Sequence, residues 1–227
     1  LPYAEREEKP IIYYLNAEYP ERYRRAARET AADYNRVFTS MVADLKGIEM
    51  QDPNMACIPA DQAAANGVPE GGVKCMFEIR DNTCNEANII SFVAENPDLL
   101  FAVERAVCRE GEACDLSVND LEGAIGVGNL KETCSSLEAA TLDPATGRSG
   151  FEWQRIGDPR YNMVVWLNNP QRSPWGGYGP MHADARTGRT VSATSFLRGN
   201  SYEVGAANIV DYIELINDEK SIDDIIY

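Results

Sequence analysis

All six cysteines of the chain fall between Cys57 and Cys134, and this constrains its fold more than any other sequence feature. They are Cys57, Cys75, Cys84, Cys108, Cys114 and Cys134, separated by 17, 8, 23, 5 and 19 residues. No C-x-x-C pair occurs, so the thioredoxin-like and ribbon-type zinc signals are missing. An even count confined to one stretch reads as three disulfides. Fifteen pairings are possible, and the spacings do not choose among them. Disulfides persist in oxidising places, so the expected location is secreted, periplasmic or outer cell surface. Buried thiols in a reducing compartment are the alternative.

The rest of the composition works by exclusion. A single histidine, His182, stands in 227 residues, so neither an H-E-x-x-H helix nor a three-histidine zinc site can be built from this sequence. The net charge of −15 argues against nucleic acid and against an acidic membrane surface. The longest apolar runs are strand-sized, so no membrane span is expected. Leu1 to Pro10 is polar and lacks the apolar core of a signal peptide, as in a trimmed chain.

Periodicity gives a coarse outline. Ile11 to Leu15 is a β-prone run bounded by Pro10 and Asn16. Pro20 opens a helix that runs to Lys46 and stops at Gly47. Tyr23, Ala27, Thr30, Ala31, Tyr34, Val37, Phe38, Met41 and Leu45 recur at three- and four-residue steps, a stripe expected to pack on the sheet. Val73 to Arg80 alternates as a strand, Ala87 to Val93 favours extended structure, and Leu99 to Arg109 is helical. Residues 48–157 read as a cysteine-containing insertion pinned by covalent links, ending in a turn-rich connector at Asp143 to Gly150. Tyr161 to Leu167 is a strong strand. Met181 to Ala183 and Thr190 to Leu197 form a hairpin, with Gly188 at positive φ in its turn. Tyr202 to Asn217 is a helix expected to bury Val204, Ala207, Ile209, Val210, Ile213 and Ile216. No internal repeat is evident.

Two stretches carry a resemblance. The first reads Pro10-Ile-Ile-Tyr-Tyr-Leu-Asn-Ala-Glu-Tyr-Pro-Glu21, followed on its helix by Ala32-Asp-Tyr-Asn35. The second reads Asp158-Pro-Arg-Tyr-Asn-Met-Val-Val-Trp166, then Gly177-Tyr-Gly-Pro180 and Asp184-Ala-Arg-Thr-Gly188. Together they resemble bacterial zinc-dependent metallopeptidases of the metzincin-like type. Tyr34 stands where that family usually has tryptophan, and Ala185 where it often has proline. The resemblance covers Pro10 to Leu45 and Asp158 to Arg198; the cysteine-bearing middle has no counterpart in it.

The resemblance implies an α+β, zincin-like three-layer fold: a twisted mixed sheet, a long N-terminal helix and the disulfide-rich insertion, in one partial domain over residues 1–227. It implies that the zinc helix follows the hairpin, so no catalytic residue, metal ligand or cofactor is assigned to this chain. Zinc would belong to a completed peptidase, with its ligands on a downstream segment or a processed partner chain. The strand Thr190, Val191, Ser192, Ala193, Thr194, Ser195 and Phe196, or its hairpin mate, would be the edge that pairs with a peptide substrate. Alternatively both strands are internal sheet or surface ribbon, and the protein is an extracellular binding or structural module on a degenerate peptidase scaffold.

Smaller constellations carry bland readings beside functional ones. His182 reads as a surface or packing residue rather than a ligand. Asp81, Asn82, Asn85 and Glu86, and also Asn119, Asp120 and Glu122, offer oxygen ligands, but neither set fits the twelve-residue calcium loop. Gly123, Gly126 and Gly128 lack the spacing of a phosphate loop. Trp166, Trp175 and Tyr178 bracket a loop, either as an aromatic platform or as pins that hold the loop to the sheet.

Overall fold

The computed structural model describes residues 2–49, 57–108, 114–169 and 175–225. The protein is α+β, with six strands in a mixed sheet and a long N-terminal helix. The chain divides into two compact units, Leu1–Met163 and Val164–Tyr227.

In the first unit, β1 (Ile11–Leu15) precedes α1 (Glu21–Lys46). Pro20 supplies the extended residue ahead of α1, and Gly47 ends it in the left-handed conformation at φ 67°. The sequence therefore marks both helix ends correctly. The buried face is different from the expected stripe. Ala27, Ala31, Asn35, Thr39 and Ala43 are buried at strict four-residue steps, while Tyr34, Val37, Met41 and Leu45 are exposed. Small side chains along one i, i+4 row let the helix lie close to the sheet. The bulky residues fall on the neighbouring face.

After α2 (Ala60–Asn66), β2 (Phe77–Arg80) pairs in parallel with β1, Ile11 opposite Phe77 and Tyr13 opposite Ile79. Alternation in the sequence extends this strand back to Val73; the structure has only an isolated bridge there, Ile58 to Lys74. Because Ile11 N–H donates to Met76 O, the carbonyl of Met76 and the backbone groups of Glu78 and Arg80 face β1, and the backbone groups of Phe77 and Ile79 point outward. Asn35 meets that outer edge. Its Nδ2 donates to Phe77 O at 2.6 Å, and its Oδ1 accepts from the N–H groups of Met76 and Phe77 at 3.0 and 2.9 Å.

The cysteine-bearing stretch is helical. It holds α3 (Glu86–Glu95), α4 (Leu100–Val107), the short α5 (Leu121–Ala124) and α6 (Leu130–Ala140). The expected strand at Ala87 to Val93 is instead α3. Asn85 caps it by accepting from Asn88 N–H at 2.9 Å, and Ile89 and Val93, one turn apart, are fully buried. A buried apolar cluster runs through Ile89, Val93, Val103, Leu121, Leu137 and Trp153. The disulfides are Cys57–Cys75, Cys84–Cys134 and Cys108–Cys114, leaving no free cysteine. Cys84 and Cys134 lie inside the cluster with no exposed surface.

Two residues tie the outer pieces to β1. Buried Asn82 donates to Leu15 O and Gln154 O and accepts from Cys84 N–H. Asn162 Nδ2 donates to Ile12 O at 2.9 Å. The guanidinium of Arg160 is held by Asp158 and lies over the ring of Tyr161, which meets Tyr14 edge-on at 5.5 Å. The strand β5 (Asn162–Leu167) begins here and crosses the boundary between the units.

The second unit contains β6 (Gly177–Tyr178), β7 (Met181–Ala183), β8 (Thr190–Arg198), α7 (Gly199–Ile216) and α8 (Ile222–Ile225). Helix α7 forms where expected, but its expected buried side is not buried. Val204, Ala207, Ile209, Val210, Ile213 and Ile216 are all exposed, and only Gly199 is buried. Periodicity states that a helix has an apolar face; it does not supply the surface that covers it. No helix among the described residues is long and apolar enough to cross a membrane.

One turn is built twice. Between β3 (Leu142–Asp143) and β4 (Arg148–Ser149), the Asp143 carboxylate accepts from Ala145 N–H and Thr146 Oγ1, and Gly147 takes φ 67°. Between β7 and β8, Asp184 accepts from Arg186 N–H and Thr187 Oγ1, and Gly188 takes φ 68°. The shared string is D-x-x-T-G-R, a local repeat that a search for long internal repeats passes over. The positive φ at Gly188 agrees with the sequence reading.

Candidate functional site

The site is built on β8 and the segment beside it. Gly177 lies opposite Leu197, Tyr178 opposite Phe196, Met181 opposite Ala193 and His182 opposite Ser192, all antiparallel. Thr194 N–H donates to Pro180 O and Arg198 N–H to Gly176 O. These bonds show that residues 176–183 form one continuous extended segment along β8, with a bulge between His182 and Ala183. On its other side β8 neighbours β5. β8 therefore has a neighbour on each side; Ser192, Ala193 and Thr194 are buried, while Thr190 and Val191 are exposed. The outer edge belongs to the hairpin mate.

The alternation of an antiparallel ladder fixes which groups face out. Gly176, Tyr178, Pro180 and His182 turn their backbone groups towards β8. The N–H and C=O groups of Gly177, Gly179, Met181 and Ala183 therefore point away from it. Pro180 lacks an N–H, but that missing donor is on the β8 side, so the outer edge keeps its full set. Gly177 is required here: a Cβ would stand 2.4 Å from Phe196 O. Met181 is 71% exposed, and Trp175 and Tyr178 are exposed beside it. Such an edge can accept an extended chain through alternating backbone hydrogen bonds. The bulge also limits indiscriminate pairing of a bare edge.

Of the three aromatic residues, Trp166 is not part of an exposed surface. Trp166 is buried, stacks on Tyr202 at 5.9 Å and leaves no room for a Cβ at Gly199. Tyr178 stacks on Phe196 at 4.8 Å. His182 is exposed on β7.

The oxygen-rich turns have structural work. Asp81 pairs with Arg24 and Arg28, Asn85 caps α3, and Glu86 accepts from Gly123 N–H. Asp120 accepts from Ser117 N–H and Oγ, and its hydroxyl partner, foremost, holds its carboxyl below the usual range. Among the described residues no three His, Cys, Asp or Glu side chains converge as metal ligands. The donor chemistry agrees: the cysteines are consumed in disulfides and one histidine remains.

Sequence reading missed the role of Asn35. The available signal was its place in the Ala27, Ala31, Asn35, Thr39, Ala43 row, where small residues recur every fourth position. No family model, curated protein or solved structure matches the chain.

Proposed function

We propose that this chain is the sheet-bearing, non-catalytic part of an exported zinc metallopeptidase of metzincin-like, zincin-type architecture, and that it positions an extended peptide substrate. The observation that carries the reading is the outward-facing backbone of Gly177, Gly179, Met181 and Ala183 on an exposed strand. The disulfides support export, because such bridges persist in oxidising compartments. No proton transfer or metal step is assigned to these residues; zinc ligands would come from another segment or a partner chain.

Titration of an extended peptide into the protein tests the edge. Backbone amide resonances of Gly177, Gly179, Met181 and Ala183 shift on binding, while those of Tyr178 and His182, already bonded to β8, move less. Unmoved resonances at saturating peptide overturn the reading. A second reading, an extracellular binding module on a degenerate scaffold, rests on the same edge. An H-E-x-x-H helix encoded downstream or carried by a co-purifying chain separates the two.

A further inference from the structure

A second strand edge lies in the first unit, at the floor of a cleft of about 680 Å³ between α1, α2 and β2. This volume is within the range of small-molecule and peptide pockets. The outer edge of β2 is closed in steps. Ile58 bridges to Lys74, with Ile58 N–H on Val73 O and Cys75 N–H on Ile58 O. Pro59 then turns the chain away into α2, whose first N–H, at Ala60, is taken by the Glu78 carboxylate at 2.6 Å. Asn35 closes the next position, Phe77. Ile79 follows, its N–H and C=O pointing outward into the cleft and meeting no partner among the described residues.

A second observation points to a ligand. Thr39 lines the same cleft, is 4% exposed, and its Oγ1 has no hydrogen-bond partner among the described residues. Helical threonines usually return this hydroxyl to the carbonyl four residues back. Thr30 and Thr133 do so here, at 2.9 and 3.0 Å, and Thr39 does not. A buried, unpaired hydroxyl costs stability unless something else satisfies it.

The charges on the lining are already matched. Arg28 pairs with Asp81, Arg80 with Glu78 and Asp61, and Arg36 with Asp33. Among the described lining residues no side-chain charge is left to select an ion. What the cleft offers is a strand donor and acceptor at Ile79 and a hydroxyl at Thr39, the pattern that recognises main-chain amides. We infer that this cleft binds a neutral, extended peptide segment, pairing its backbone with Ile79 and hydrogen-bonding Thr39. Its residues belong to the first unit, whereas the Gly177 to Ala183 edge belongs to the second.

The test uses a blocked pentapeptide of alternating threonine and valine, titrated into the full chain with amide resonances as readout. The amides of Ile79 and Thr39 shift with peptide concentration. Thr39→Val keeps the side-chain shape, leaves folding intact, and weakens binding about three- to tenfold through loss of one hydrogen bond. Ile79→Pro removes the outward N–H without touching the β1 ladder and weakens binding by at least as much. Affinity unchanged in Thr39→Val, or shifts confined to Gly177 to Ala183, overturns this inference and leaves the proposed function standing. Shifts confined to the cleft do the reverse.

Discussion

The side-chain amide of Asn35 completes the backbone hydrogen bonding of Phe77, standing in for a neighbouring strand at the outer edge of β2. Edge strands expose unpaired groups that invite pairing with other chains, and a buried carboxamide with both donor and acceptor matches one strand residue. Asn35→Ala strands the N–H groups of Met76 and Phe77 and the carbonyl of Phe77. A loss of about 2–4 kcal/mol is expected in denaturant unfolding. Asn35→Asp restores only the acceptor at neutral pH and sets a carboxylate against Phe77 O, so it recovers only part of the loss. Stability of Asn35→Asp equal to that of the unaltered protein would contradict the bonding described.

The three disulfides differ in what they restrain. Cys84–Cys134 closes 50 residues inside the apolar cluster, and Cys108–Cys114 closes 6. Loop-closure entropy alone makes the first worth about 4 kcal/mol and the second about 2 kcal/mol. Paired cysteine-to-alanine variants, compared by thermal melting, should preserve that order. Reduction of the intact protein adds six hydrogens by mass spectrometry; no gain contradicts the pairing.

Acid should loosen both D-x-x-T-G-R turns. Hydrogen bonds to the carboxylates, from Ala145 N–H first at Asp143 and from Arg186 N–H first at Asp184, hold both below the usual aspartate range. A depressed folded pKa gives stability that is present above the unfolded value and lost as pH falls through the folded one. Amide exchange near Gly147 and Gly188, taken relative to the intrinsic rate at each pH, therefore rises as pH drops below the ordinary aspartate range. Asp184→Ala raises it at Gly188 at neutral pH as well, whereas Asp184→Asn, which keeps an acceptor, has a smaller effect.

Gly199 has no room for a larger residue. A Cβ there would meet Trp166 Nε1 at 2.4 Å and Cε2 at 2.6 Å, and Trp166 is buried. Gly199→Ala should cost about 1–3 kcal/mol through overpacking, despite alanine's better helix propensity. Trp166 fluorescence reports the displacement, and an unchanged spectrum with unchanged stability excludes the contact.

The exposed apolar side of α7 makes an unusual forecast. Ile213→Lys changes a solvent-facing residue and should leave stability within about 0.5 kcal/mol. A loss of 2 kcal/mol or more in equilibrium unfolding shows that this face is covered.

Local chemistry in the sequence determined a good part of this protein. Pro20 and Gly47 bound α1 because proline and glycine restrict or permit backbone dihedrals wherever they occur. The run Ile11 to Leu15 forms β1, and Asp184 to Gly188 forms its turn, from interactions within a few residues. Six confined cysteines do become three bridges. Tertiary structure decided matters in which a residue's partner is distant in sequence. The α1 face that packs is the small-residue row, because β2 approaches it closely. The Ala87 to Val93 run is a helix because Ile89 and Val93 find one apolar cluster on the same side. The hairpin was legible, but its free edge was not. Which strand of a hairpin faces solvent depends on what pairs with the other, and β5 takes that place beside β8. Periodicity is a property of one segment, whereas burial and edge exposure are properties of two.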